Sequence, residues 1–258
     1  MNRYSFNKIG LNKFINLEKF GLSSFALKII ATVSMLIDHI GKILFVQSPQ
    51  IYKIMHAVGR LSFPLYCFLL VEGLIHTKNR LKHAILLFVF AIVSEFPYDL
   101  TKEKWEPMSE QSIMCLLFIG FVSIWILDSV KNREKDYPNA LETIFGNKLT
   151  DWIIRLLVIV GGTLIVYYGR IMSGPLGFWL IILLYTFREG HGFRVLSNLG
   201  INLAMALPLN KIQILGGLAI IPMELYNEKP GKYKWKYFFY LFYPVHLLAL
   251  VSIKMLLK

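Results

Sequence analysis

The chain has 258 residues, 55% hydrophobic and 17% charged, with a formal net charge of +12. A soluble domain keeps about a quarter of its residues charged, and here the apolar residues fall in long blocks, which excludes a soluble globular fold. Membrane strands would need alternating patterning with turns about every ten positions, and a nucleic-acid partner would need a basic, aromatic-laced motif. Neither is present, so the fold class is all-α: a polytopic helical bundle embedded in membrane lipid.

Residues 1–24 form a basic, amphipathic lead-in on the cytoplasmic side, without the small-residue cleavage site that follows a signal peptide. Residues 25–258 then make one transmembrane domain. Runs of ~18 or more apolar residues are long enough to cross a hydrocarbon core. Nine spans are predicted: 25–46, 51–76, 81–98, 111–130, 151–168, 173–187, 195–209, 211–226 and 236–257. The pair between 195 and 226 is broken near Pro208 and also fits a single span plus a re-entrant piece, giving eight to ten in all. Lysine and arginine in the loops set the orientation. With the N-terminus inside, 17 fall in cytoplasmic segments and 5 in external ones. The protein is therefore expected in the bacterial cytoplasmic membrane, N-terminus inside and C-terminus outside.

Ionisable groups within spans are costly and mark candidate sites. The first span holds Lys28, Asp38, His39 and Lys42, the second Arg60, Glu72 and His76, and the third Glu95, with Asp99 at its end. His39 lies ~10 Å inside the outer end of its helix and Arg60 ~13 Å into the next. Asp38, His39, Arg60 and Glu95 are thus predicted to meet in one polar cavity in the outer half of the membrane. A structural ion-pair network is the alternative. Pro64 removes the hydrogen bond that would end on the Arg60 carbonyl, predicting a kink beside the cluster. Asp38 and His39 point ~100° apart on the helix. Asp38 is therefore expected to hold Arg60, leaving His39 to act as a general base.

Lys28 and His39 share a helix stripe, ~16 Å apart along the axis. A phosphate-headed donor could anchor at the first and present its reactive end at the second; taken alone, Lys28 reads rather as an ordinary interface lysine. Glu72 and His76 share a face at i, i+4 and lead into Lys78, Asn79 and Arg80. That basic turn is either a phosphate holder or a plain cytoplasmic loop. His246, beside Pro244, is a bundle hydrogen-bonder or, with Asp99, a contact for the acceptor. Cys67 and Cys115 have no metal or disulfide spacing and are expected to be buried apolar residues. No metal is expected.

At LKIIATVSMLIDHIG (27–41), GRLSFPLYCFLLVEGLIHTKNR (59–80), SEFPYD (94–99) and YFFYLFYPVHL (237–247) the sequence resembles the TraX family, known for N-terminal acetylation of conjugative pilin. The resemblance implies a membrane-embedded acetyltransferase using acetyl-CoA. It extends to the broader transmembrane acyltransferases, acyltransferase-3 and the heparan-glucosaminide acetyltransferase. Acyltransferase-3 proteins carry a basic residue, ten intervening residues and a histidine in their first helix. Lys28 and His39 match that spacing, with lysine for the usual arginine, whereas Gln111 stands where an asparagine is expected.

The implied function is transfer of acetyl from cytoplasmic acetyl-CoA to an amino or hydroxyl group of a protein, glycan or lipid acceptor at the outer side. His39 would be the base or acetyl carrier, Asp38, Arg60 and Glu95 would complete the catalytic set, and Lys28 with Glu72, His76, Lys78, Asn79 and Arg80 would hold the donor. A secondary transporter would also bury such charges, but it would pair its two halves as repeats, and none is present. A membrane scaffold would leave the polar cluster without a purpose.

Overall fold

The computed structural model describes residues 21–102, 109–133, 148–207, 211–233 and 235–257. Residues 1–20 of the expected lead-in and 134–147 of the long polar linker lie outside the described residues. In chain order the helices are α1 (Ser24–Leu44), α2 (Pro49–Gly59), α3 (Ser62–His76), α4 (Arg80–Leu100), α5 (Ile113–Arg133), α6 (Lys148–Tyr168), α7 (Gly174–Thr186), α8 (His191–Ala206), a 3₁₀ segment (Lys211–Ala219), α9 (Ile220–Glu224) and α10 (Lys236–Leu256). Among the described residues there are no strands, only two isolated bridges, Leu22 with Tyr226 and Gln111 with Ile171.

Among the described residues, five helical stretches are long and apolar enough to cross a membrane: 49–76, 80–100, 113–132, 148–168 and 237–256. The remaining expected spans take other forms. α1 is 21 residues long but carries Lys28, Asp38 and Lys42. α7 is wholly apolar but only 13 residues long. The expected span over 211–226 is not a regular α-helix. Nine 3₁₀ residues precede the five of α9, and at ~2.0 Å per residue this tighter helix covers more depth for its length.

Helix starts follow their sequences. Ser23 Oγ accepts from the Ala26 N–H (3.2 Å) to cap α1, and Asn79 Oδ1 accepts from the Lys82 N–H (2.8 Å) to cap α4. Pro49 opens α2, where its missing N–H costs nothing. The kink expected from Pro64 is present as a full break: α2 ends at Gly59 and α3 begins at Ser62, so Arg60 and Leu61 lie between two helices.

The helices run back and forth, collecting their polar contacts at two ends. One end joins the Leu22 N–H to the Leu225 carbonyl (2.7 Å), Arg188 to Glu72 (2.6 Å), Arg80 to Asp128 (2.7 Å) and Arg194 to Glu224 (2.6 Å). The other joins the Gln111 N–H to the Arg170 carbonyl (3.0 Å) and Lys102 to Asp99 (2.6 Å). α3 and α7 supply much of the core, with Leu65, Leu74, Phe178, Leu180 and Ile181 essentially inaccessible. α6 is the outlier: Trp152, Leu156 and Leu157 are more than 60% exposed. Burial thus runs apolar on both faces, inside and out, as a lipid solvent requires.

The loop charges fix an expected orientation. Reporter fusions after residues 80, 105 and 258 should read cytoplasmic, external and external. A cytoplasmic signal at 258 would mean that α8, the 3₁₀ segment and α9 do not make two crossings.

Candidate active site

The break after Gly59 matters because of what it presents. Gly59 packs directly on α1: a Cβ there would lie 2.3 Å from the Asp38 Cβ. Only a residue without a side chain lets the end of α2 come so close. That approach brings Arg60, next in the chain, onto the Asp38 carboxylate.

Asp38 is buried. Its Oδ1 accepts from His56 Nδ1 at 2.6 Å, and Arg60 Nη2 donates to Oδ2 at 3.2 Å and to Oδ1 at 3.4 Å. Arg60 Nη1 donates to Gln213 Oε1 at 2.8 Å on the 3₁₀ segment. Gln213 Nε2 donates to Asn202 Oδ1 (3.0 Å), Asn202 Nδ2 to the Asn198 carbonyl (2.8 Å), and Asn198 Nδ2 to the Gly217 carbonyl (2.9 Å). The two asparagines are completely inaccessible. A buried polar group is tolerated only when its bonds are made. This amide ladder therefore fixes the far side of the guanidinium as firmly as Asp38 fixes the near side. Gly216 completes it: a Cβ there would lie 2.1 Å from Asn202 Oδ1 and 3.2 Å from the Arg60 carbonyl.

His39 sits beside this unit but pairs elsewhere. Its Nδ1 lies 2.6 Å from Nε2 of His246 on α10, and His246 Nδ1 lies 2.6 Å from the Phe242 carbonyl. Asp38, His39, Arg60 and Gln213 form the polar end of one cavity, of about 100 Å³, which Met35, Phe63, Tyr66, Met114, Phe239 and Tyr243 also line. The volume admits several waters or a short acyl group. Towards the other end of α1, Thr32 donates to the Lys28 carbonyl (2.7 Å) and so receives the Tyr66 hydroxyl proton (2.8 Å). The Lys28 ammonium lies 5.8 Å from the Phe239 ring centre, so Lys28 and His39 both face α10 along one stripe of α1.

Of the expected catalytic four, three meet and one does not. Glu95 is not in the cavity lining. Its Oε1 instead accepts from the Ser112 N–H (2.9 Å) and Cys115 Sγ (3.2 Å), so it satisfies the start of α5. Cys115 is accordingly half-buried and hydrogen-bonded, not a plain apolar filler like Cys67. Asp99 lies apart from the cavity in its ion pair with Lys102, whose Nζ also donates to Ser109 (3.1 Å). Among the expected donor-holding residues, Glu72 takes both arms of Arg188 (2.6 and 3.1 Å) and His76 Nδ1 donates to the Glu72 carbonyl (2.9 Å). Asn79 caps α4, Arg80 pairs with Asp128, and Lys78 is exposed. No group of three metal-ligating side chains occurs among the described residues.

Three participants escaped the sequence: His56, Gln213 and Tyr243. His56 precedes Arg60 by four residues, so helix periodicity already put both on one face. Gln213 had a weaker signal, a lone amide in an apolar block. Arg60→Lys tests the arrangement, because an ammonium cannot donate to Asp38 and Gln213 in the fork geometry of a guanidinium. Breaking a buried pair costs ~3–5 kcal/mol; this variant keeps the charge but should lose most activity and some thermal stability. Parent-like activity in a folded Lys variant would exclude a paired role.

The family model described as "TraX protein" matches residues 23–254. The chain is 26% identical over 251 residues to the "Probable fimbrial assembly protein FimC, serogroup H1" of Dichelobacter nodosus, covering 92% of this chain and 97% of that protein. No solved structure matches.

Proposed function

The chain belongs to the TraX family, and from that premise we propose that it is a membrane-embedded acetyltransferase. It moves acetyl from cytoplasmic acetyl-CoA to an amine, or less readily a hydroxyl, of an acceptor at the outer side of the cytoplasmic membrane. The relative's printed role in fimbrial assembly supports a pilin-like N-terminus as that acceptor. The carrying observation is that His39, Asp38 and Arg60 share one small cavity walled chiefly by α1, α3, α5 and α10.

His39 takes the proton of the attacking nitrogen as the new N–C bond forms and the thioester C–S bond breaks, then returns it to the departing thiolate. Arg60, held by Asp38 and Gln213, presents fixed positive charge beside the carbonyl oxygen that becomes negative, where preorganised donors matter most. The apolar walls, Met35, Phe63, Met114 and Phe239, keep out bulk water that would otherwise compete for the acetyl group. Lys28, near the Phe239 ring on the same stripe, fits the phosphate end of the donor, with exposed Lys78 at that end of the bundle.

The test uses protein in lipid nanodiscs, acetyl-labelled acetyl-CoA and a short synthetic peptide with a free α-amine. Label should pass to the peptide and not to its N-acetylated twin, with equal release of free CoA. Absence of both label and CoA release in folded protein would overturn the enzyme reading.

A further inference from the structure

His39, which lines the cavity, and His246 lie edge to edge. Their ring centres are 4.9 Å apart, their planes differ by 22°, and the facing nitrogens, His39 Nδ1 and His246 Nε2, are 2.6 Å apart. Such a centre separation with so short a nitrogen contact places the rings side by side, with the bond in their common plane. This is a hydrogen bond, and it needs one proton.

Backbone chemistry decides which nitrogen carries it. The Phe242 carbonyl 2.6 Å from His246 Nδ1 can only accept. His246 Nδ1 therefore carries a proton. A neutral imidazole has one N–H, so His246 Nε2 offers a lone pair, and His39 Nδ1 donates to it. His39 Nε2 is left bare. A cationic His246 would reverse the bond, but His246 is buried, where an added charge is costly. Tyr243 also faces both rings, at 6.1 and 5.7 Å.

We infer that His246 is a positioning residue for His39: the Phe242 carbonyl sets the tautomer of His246, and His246 sets that of His39, leaving Nε2 of His39 as the basic atom. This rests on the reading of His39 as the base. It also says more, since both rings must hold the Nδ1–H tautomer and His246 must accept a bond at Nε2. When His39 gains a proton, its Nδ1–H strengthens towards His246, so the charge is shared across two rings. Second partners of this kind orient ligating and catalytic histidines and typically change activity 10–100-fold.

Two substitutions separate acceptance of a bond from filling of space. His246→Phe keeps a ring in the same place but removes the acceptor. His246→Gln places a carbonyl oxygen near the position of Nε2. With labelled acetyl-CoA and the same peptide, the Phe variant should lose about 10–100-fold in kcat with an unchanged KM for acetyl-CoA. The Gln variant should recover much of that loss. Nitrogen-15 spectra of histidine-labelled parent protein should show both histidines as the Nδ1–H tautomer. A parent-like kcat in His246→Phe, or an Nε2–H tautomer at His246, would overturn the inference, and the spectra settle the point even if the Phe variant folds poorly. Activity retained in His39→Ala would instead strike the proposed function beneath it.

Discussion

Replacing His39 with alanine is expected to lower acetyl transfer by ~10²–10⁴-fold, the usual worth of a positioned general base, while leaving acetyl-CoA binding near the parent value. His39 lines the cavity and is hydrogen-bonded through Nδ1 to His246, so its loss removes the proton acceptor while leaving the donor-binding end of α1 in place. Lys28→Ala should behave in the opposite way. Its ammonium lies near the Phe239 ring, far along α1 from the reacting end. Its loss should raise the KM for acetyl-CoA with a smaller effect on kcat, as expected for an interaction made equally in ground and transition states. Measuring donor affinity and transfer rate on both folded variants gives the answer. An inactive Lys28→Ala with unchanged donor affinity would remove the model of one donor lying along α1, and unimpaired transfer by His39→Ala would remove the base.

The contrast between these residues also shows what a sequence can carry. Depth along a helix is readable, because each residue advances ~1.5 Å. This placed Asp38, His39 and Arg60 at one level, and the structure brings them to one cavity. Rotation was readable within α1, where Lys28 and His39 both face α10. It was not readable between helices. Glu95 has a suitable depth, yet its helix turns it towards the start of α5, where Ser112 and Cys115 need an acceptor. The proline rule gave the break near Arg60 because it is local. The amide ladder through Gln213, Asn202 and Asn198 is a non-local feature. It depends on a 3₁₀ segment with no apolar periodicity to announce it and on two adjacent glycines that let it touch α8. Partners within the basic turn at 76–80 were equally non-local: Arg80 pairs with Asp128, while Asn79 caps α4 and Lys78 is exposed.

Gly59→Ala should be a severely damaging single-methyl change, although the glycine carries no chemistry. The added carbon would stand 2.3 Å from the Asp38 Cβ and 2.6 Å from its carboxyl carbon, far inside contact distance, and neither backbone can yield without parting α1 from α2. Overpacking alone costs ~1–3 kcal/mol. Parting the helices would also loosen the Arg60–Asp38 pair, whose rupture costs ~3–5 kcal/mol. The variant should therefore unfold at a markedly lower temperature and lose activity even where it remains folded. Gly161→Ala supplies the control. Gly161 also lies in a long helix, but a Cβ there meets nothing within 4 Å, and alanine is favoured over glycine in a helix interior by ~0.5–1 kcal/mol. That variant should be as active as the parent and no less stable. If thermal unfolding in detergent and acetyl transfer ranked the two glycines equally, the close approach of α2 to Asp38 would not be what assembles the site.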